Sequence, residues 1–153
     1  LSSTKKIFNE TKSLSKAELQ EYSLLYLIIN NLFLFKENMD LLENVEFITD
    51  QGKKFFFEIK DYIQRNNEIN IEDLPTDKSL IEKINKFASI KHISNKIKKD
   101  HQKLLEIFDE MRKDLANLSI EIKISDLESK FSEDLNESTF NKIKELKKLQ
   151  NIN

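Results

Sequence analysis

The strongest amphipathic signal in the chain follows Ser15. Leu19, Tyr22, Tyr26, Ile29 and Phe33 recur at three- and four-residue steps, and Leu25, Ile28 and Leu32 widen the stripe. This spacing predicts a helix buried on most of its sides. Ser15 and Glu18 precede it as a capping box, in which hydroxyl and carboxylate each take an orphan amide. Residues 1–14 are polar, weakly periodic and read as a lead-in. Asn30-Asn31 interrupts the stripe, and a second helix is expected over 32–43, ending near Asn44. Thr49 or Asp50 can cap a third over about 51–65, with Phe56, Ile59 and Ile63 inward and Phe55 and Tyr62 beside them. The run Phe55-Phe56-Phe57 spreads over about 200° of helix circumference. Either that helix is packed on two sides or one ring is left for a partner. The stretch 68–76 holds the only Pro and reads as a loop with a turn at 71–74. Asp77 is a good N-cap for a helix over 78–89, with Leu80, Ile81, Ile84 and Phe87 inward.

From Ile93 to Phe131 there is no Gly or Pro. Ile97, Leu104, Ile107, Phe108, Met111, Leu115, Leu118, Ile122 and Phe131 fit one long helix or two nearly end to end. Within it, Leu118–Ile124 alternates apolar and polar residues, the mark of a half-buried strand. A strand needs a partner for its backbone groups. The only other alternation, 68–72, is short and lies beside Pro75. The expectation for 118–124 is therefore helix, with Ile120 and Ile124 off the main stripe and meeting some other surface. Asn136 or Ser138 can cap a last helix over about 138–150, with Phe140, Ile143, Leu146 and Leu149 on one side. The short link before it predicts an antiparallel hairpin. The fold class is all-α: a helical bundle subdomain over 15–95, then a long helix and C-terminal hairpin over 96–153.

Composition narrows the chemistry. One Gly and one Pro exclude a glycine-rich phosphate loop, a β-sandwich and a doubly wound α/β fold. The absence of Cys removes disulfides, thiolate metal sites and thiol catalysis. The basic residues are nearly all Lys, and Ile and Asn are abundant, as an A+T-rich genome would produce. The lysines are therefore not evidence of selection for a partner. The net charge of −2 argues against a dedicated nucleic-acid module, and no direct nucleic-acid binding is expected. Leu24–Ile29 is too short to cross a bilayer, and no signal peptide is visible. A chain beginning at Leu1 reads as an excised fragment or a processed product.

No catalytic, cofactor or metal residue is expected. His92 and His101 stand nine residues apart and would lie half a helical turn out of register as ligands. The carboxylates are scattered over polar faces. Lys91–Lys103 carries five lysines and both histidines with one acid, Asp100. It reads as a solvated helix start, with an anion-binding patch as the functional alternative. The terminal hairpin has little mass to bury both its helices, so it either folds back on the bundle or offers apolar surface to a partner.

The order Glu21–Phe35, an apolar helix ending in an asparagine break and a short helix, is followed by the acidic-Phe step Glu46-Phe47 and the amphipathic segment to Ile63. A long charged helix over about 96–132 and a terminal hairpin ending Glu145-Leu-Lys-Lys-Leu-Gln150 complete the chain. Over about 16–150 this order resembles the C-terminal, helicase-binding domain of bacterial DnaG-type primases. The resemblance implies a cytoplasmic, non-enzymatic module without cofactors, whose parent chain synthesises RNA primers. Its implied partner is the replicative helicase, through the N-terminal domains of the hexamer. The implied contact residues are Leu135 at the turn and Phe140, Ile143, Lys144, Leu146 and Lys147 of the last helix. The alternatives are the N-terminal bundle of a DnaB-type helicase, which is similar in its helices, or a generic helical interaction module.

Overall fold

The structure, a computed structural model, describes residues 15–133 and 136–150. The expected lead-in lies outside the described residues. Among those described there are eight α-helices, one 3-10 turn and no strand. The helices are α1 (Lys16–Ile29), α2 (Leu32–Glu37), α3 (Asp40–Glu43), α4 (Asp50–Arg65), α5 (Lys78–Phe87), α6 (Lys91–Lys96), α7 (His101–Glu133) and α8 (Glu137–Gln150). The 3-10 turn covers Ile71–Asp73. The chain divides into two compact units, up to Arg112 and from Lys113, so the division falls inside α7.

In the first unit α1 is the central element. It packs against α2, α4, α5 and α6, and α2 also packs on α4. Leu24, Leu25, Leu27, Ile28 and Ile29 are all essentially inaccessible, as expected for a helix enclosed on most sides. Ser15 closes the capping box, accepting from the Glu18 amide at 3.1 Å while the Glu18 carboxylate accepts from the Ser15 amide. Phe108 of α7 meets Phe35 of α2 with ring centroids 4.7 Å apart. Phe47 stacks on Phe56 at 4.6 Å, fastening the segment before α4 to that helix.

Asparagine ends these helices where glycine often would. A helix leaves its last carbonyls unpaired. The side-chain amides of Asn30, Asn31, Asn38 and Asn66 donate to the carbonyls of Tyr26, Leu27, Leu34 and Tyr62, at 2.8–2.9 Å. No described residue has positive φ, so the left-handed glycine cap is not used. Lys36 adds to the end of α4, its ammonium donating to the carbonyls of Ile63 at 3.0 Å and Asn66 at 2.6 Å.

The helix expected over 32–43 is two short ones, because the Asn38 side chain closes α2 on Leu34 and the chain restarts at Asp40. The helix expected over 78–89 stops at Phe87, since Ala88 is extended. Its cap is Asp77, whose carboxylate accepts from the Ser79 amide at 2.9 Å. That hydrogen bond holds the Asp77 carboxyl below its ordinary range. Of the two arrangements open for 93–131, the structure has two helices. They part at Ile97–Asp100, where Asp100 caps α7 by accepting from the Lys103 amide at 3.0 Å.

One contact was not visible in the helical periodicity. Glu21, on α1, is only 1% exposed. Its carboxylate accepts from the Ile48 amide at 2.6 Å, the Thr49 amide at 3.0 Å and the Thr49 hydroxyl. The Thr49 hydroxyl in turn accepts from the Gly52 amide at 3.0 Å, capping α4. Gly52 is required there by proximity. A β-carbon on it would stand 2.6 Å from a Glu21 carboxylate oxygen and 2.7 Å from its carboxyl carbon. Three hydrogen bonds fix that carboxylate, so it cannot move aside freely. Gly52→Ala should therefore destabilise the chain by about 1–3 kcal/mol in urea unfolding, the range for overpacking, although alanine favours helix. A stabilised Gly52→Ala variant would show that the carboxylate can shift.

Candidate functional site

The candidate site is the helical hairpin of the second unit, made by the last turns of α7 and by α8. Leu118–Ile124 is helical, and the reason for its alternation becomes clear in that geometry. At about 100° per residue, Ile120 and Ile124 lie on the side of the helix opposite Leu118 and Ile122. Period-two apolar spacing in a helix thus marks two apolar faces. Ile120 and Ile124 are buried with Ile143 of α8, and Leu127, Phe131 and Leu146 pack against this cluster.

The two helices of the hairpin run antiparallel. Phe131 lies beside Phe140 with ring centroids 5.9 Å apart. Further along, Lys147 pairs with Glu128 at 3.2 Å and Gln150 donates to Glu121 at 3.4 Å. The start of α8 is capped by Asn136, whose side-chain oxygen accepts from the Thr139 amide at 2.9 Å. Asn136 is thus the cap, and Ser138 lies inside the helix.

The residues expected to meet a partner are divided by this packing. Phe140 is 44% exposed, with the Lys144 ammonium 5.1 Å from its ring centre. Leu149, which the sequence set on the same side of α8, is 48% exposed. Periodicity alone does not tell which end of such a stripe the neighbouring helix covers. Ile143 is enclosed in the hairpin's own cluster and Leu146 is half-buried against it. These two hold α8 in place. Lys144 is exposed. Lys147 is also exposed, and an ion pair between two solvent-facing side chains such as Lys147 and Glu128 contributes little. Leu135 lies outside the described residues.

Two further exposed aromatics belong to the first unit. Phe33 is 64% and Phe57 69% exposed, whereas Phe55 and Phe56 are buried. The Phe55-Phe56-Phe57 run therefore leaves one ring in solvent. His92 and His101 fall on separate helices and are exposed. Among the described residues no group of three or more histidines and carboxylates could hold a metal ion. Nor is any of their helices long and apolar enough to cross a membrane. Comparison with protein-family models, curated proteins and solved structures returns no match.

Proposed function

We propose that this chain is the helicase-interaction domain of a bacterial DnaG-type primase. It recruits the primer-synthesising enzyme to the replicative helicase at the replication fork, in the bacterial cytoplasm. The observation that carries the reading is the succession of elements. A central apolar helix breaks at Asn30-Asn31 and is followed by short helices, the Glu46-Phe47 step and the amphipathic α4. A long helix and a terminal antiparallel hairpin then close the chain. In this reading the domain performs no chemistry and carries no cofactor, and primer synthesis belongs to the parent chain.

Support for the hairpin as the docking element comes from its side chains. Phe140 and Leu149 offer apolar surface that the hairpin does not use, with Lys144 and Lys147 beside them. Aromatic and aliphatic anchors rimmed by charge are what a protein–protein contact uses, the apolar groups for affinity and the lysines for steering. The partner surface is the N-terminal domains of the helicase hexamer.

Calorimetric titration of the folded chain against the cognate helicase is expected to show saturable binding. Removal of 136–153 should abolish that binding while the remaining chain still unfolds cooperatively. A folded full chain that does not bind overturns the reading. Collapse of the truncated chain would assign the hairpin to the core instead of to a partner. The same reading expects a zinc-binding motif and a primase core to be encoded upstream of Leu1.

A further inference from the structure

The alternation Glu68-Ile-Asn-Ile-Glu72, beside the only proline, has no part in the helical bundle. In the structure its two isoleucines separate. Ile69 is buried, whereas Ile71 opens the 3-10 turn and is 37% exposed. The turn that carries Ile71 is fixed. The Tyr62 hydroxyl accepts from the Asn70 amide at 3.1 Å and donates to the Asn70 carbonyl at 3.3 Å. The Asp73 and Leu74 amides donate to the carbonyls of Asn70 and Ile71 at 3.1 and 3.3 Å. Ile71, Leu74 and Ile81 line an open cavity of about 290 Å³ between this turn and α5, with Glu72, Lys78 and Glu82 as the charged part of its lining. That is near the smallest size of a ligand pocket and suits one or two side chains better than a cofactor. Residues 68–82 carry five acids and one lysine, a charge of −4 in a chain of net −2. Glu68, Glu72, Asp73 and Glu82 are exposed and have no ion-pair or side-chain hydrogen-bond partner among the described residues.

We infer that this cavity takes an aliphatic side chain from a short basic segment of another protein, whose lysines or arginines meet the carboxylates around it. The apolar lining supplies the attraction, because Ile71 and Ile81 leave the water when the cavity is filled. The carboxylates select the partner. They repel an acidic segment and draw in a basic one, acting on encounter and discrimination more than on affinity. The one ammonium of the lining, Lys78, is exposed on a flexible stem and can turn away from a basic guest. A turn already held by Tyr62 has little freedom left to lose, which favours binding through so small a surface. The inference does not rest on the helicase reading, whose contacts are on α8.

The probe is the end-blocked hexapeptide KKLLKK, titrated into the full isotope-labelled chain and followed by backbone amide shifts. Saturating shifts centred on 71–82 are expected, with a Kd of about 0.1–1 mM. The peptide KKSSKK, which lacks the aliphatic anchors, should bind at least about tenfold more weakly. EELLEE should be weaker by a similar factor of about ten. Ile71→Ser should lower affinity for KKLLKK at least about fivefold. E72K/E82K should do the same and improve binding of EELLEE, each by about fivefold or more. The control E106K/E110K, which reverses two exposed acids of α7, should change little. Circular dichroism melting checks that all three variants stay folded. Absence of shifts at about 5 mM KKLLKK, or shifts centred elsewhere, overturns the inference. Equal binding of KKSSKK would reduce the site to its charge, and equal binding of EELLEE would remove the charge from it; each overturns the partner named here. Movement of the same amides when the chain alone is concentrated would assign the cavity to a second copy and overturn the external partner. Helicase titration of E72K/E82K is expected to be unchanged, and a loss there would overturn the separate partner by placing this cavity in the helicase contact.

Discussion

Glu21→Ala is expected to cost about 3–5 kcal/mol of folding stability. Glu21 is buried on α1, and its carboxylate serves the amides of Ile48 and Thr49 and the Thr49 hydroxyl. Hydrogen bonds to a charged group contribute about 1.5–3 kcal/mol each, and a buried donor left unpaired costs about 1–3 kcal/mol. The three bonds are coupled through Thr49, so they will not add fully. Thr49 also caps α4, so losing Glu21 loosens the start of a second helix. Glu21→Gln has the same shape and keeps one acceptor oxygen for the two amides. Its amide nitrogen can donate to Thr49, whose hydroxyl must then reorient. The expected cost is therefore smaller, about 1–2 kcal/mol. Urea unfolding gives the two values, and amide exchange of α4 should show its first turn opening in the alanine variant. An alanine variant within 1 kcal/mol of the parent, or one less damaging than glutamine, would show that water replaces the carboxylate without cost.

Ile143→Asp should detach the last helix. Ile143 is the one buried residue of α8 and completes the small cluster with Ile120 and Ile124. Removing a buried isoleucine side chain costs about 2–5 kcal/mol, and placing a carboxylate among apolar groups adds to that. α8 has fourteen residues, a length at which an isolated helix is marginal in water. It cannot retain its structure after losing its contacts. Amide-exchange protection over 137–150 should vanish while that of α1, α4 and α5 persists, and helicase binding should disappear with it. The paired control is F140A/L149A. Those side chains are exposed, so the helix should stay protected while helicase affinity falls at least about tenfold, or about 1.4 kcal/mol. Full affinity in F140A/L149A would place the contact elsewhere. Persistent protection of 137–150 in Ile143→Asp would show that the cluster does not hold the helix.

Much of the fold could be read without coordinates because it is written in nearest neighbours. The Ser15–Glu18 box, the Thr49 and Asp77 caps and the asparagine stops each act across two to four residues. They follow from which backbone groups a helix end leaves unpaired. The break within 32–43 escapes apolar spacing for an equally local reason: Asn38 closes its own helix, a competition that such spacing does not register. In the hairpin, the choice of helix for 118–124 followed from the missing strand partner, and the apolar groups of α8 were also legible. Which of them are turned inward was not. Ile143 and Phe140 differ by less than one helical turn, yet one is enclosed and the other half open.

The amino-acid sequence by itself determined the helical class, most of the helix caps, and the lack of any residue set for thiol or phosphate-loop chemistry. These depend on composition and on hydrogen bonds between close neighbours, which the order of residues specifies directly. Tertiary structure alone decided that Glu21 is buried and ties α1 to α4 across twenty-seven residues, that Phe57 is the ring left in solvent, and that alternation at 118–124 means two helix faces. Each of these depends on which distant segment arrives to cover a given side. That is set by the packing of whole helices, not by the spacing of residues within one.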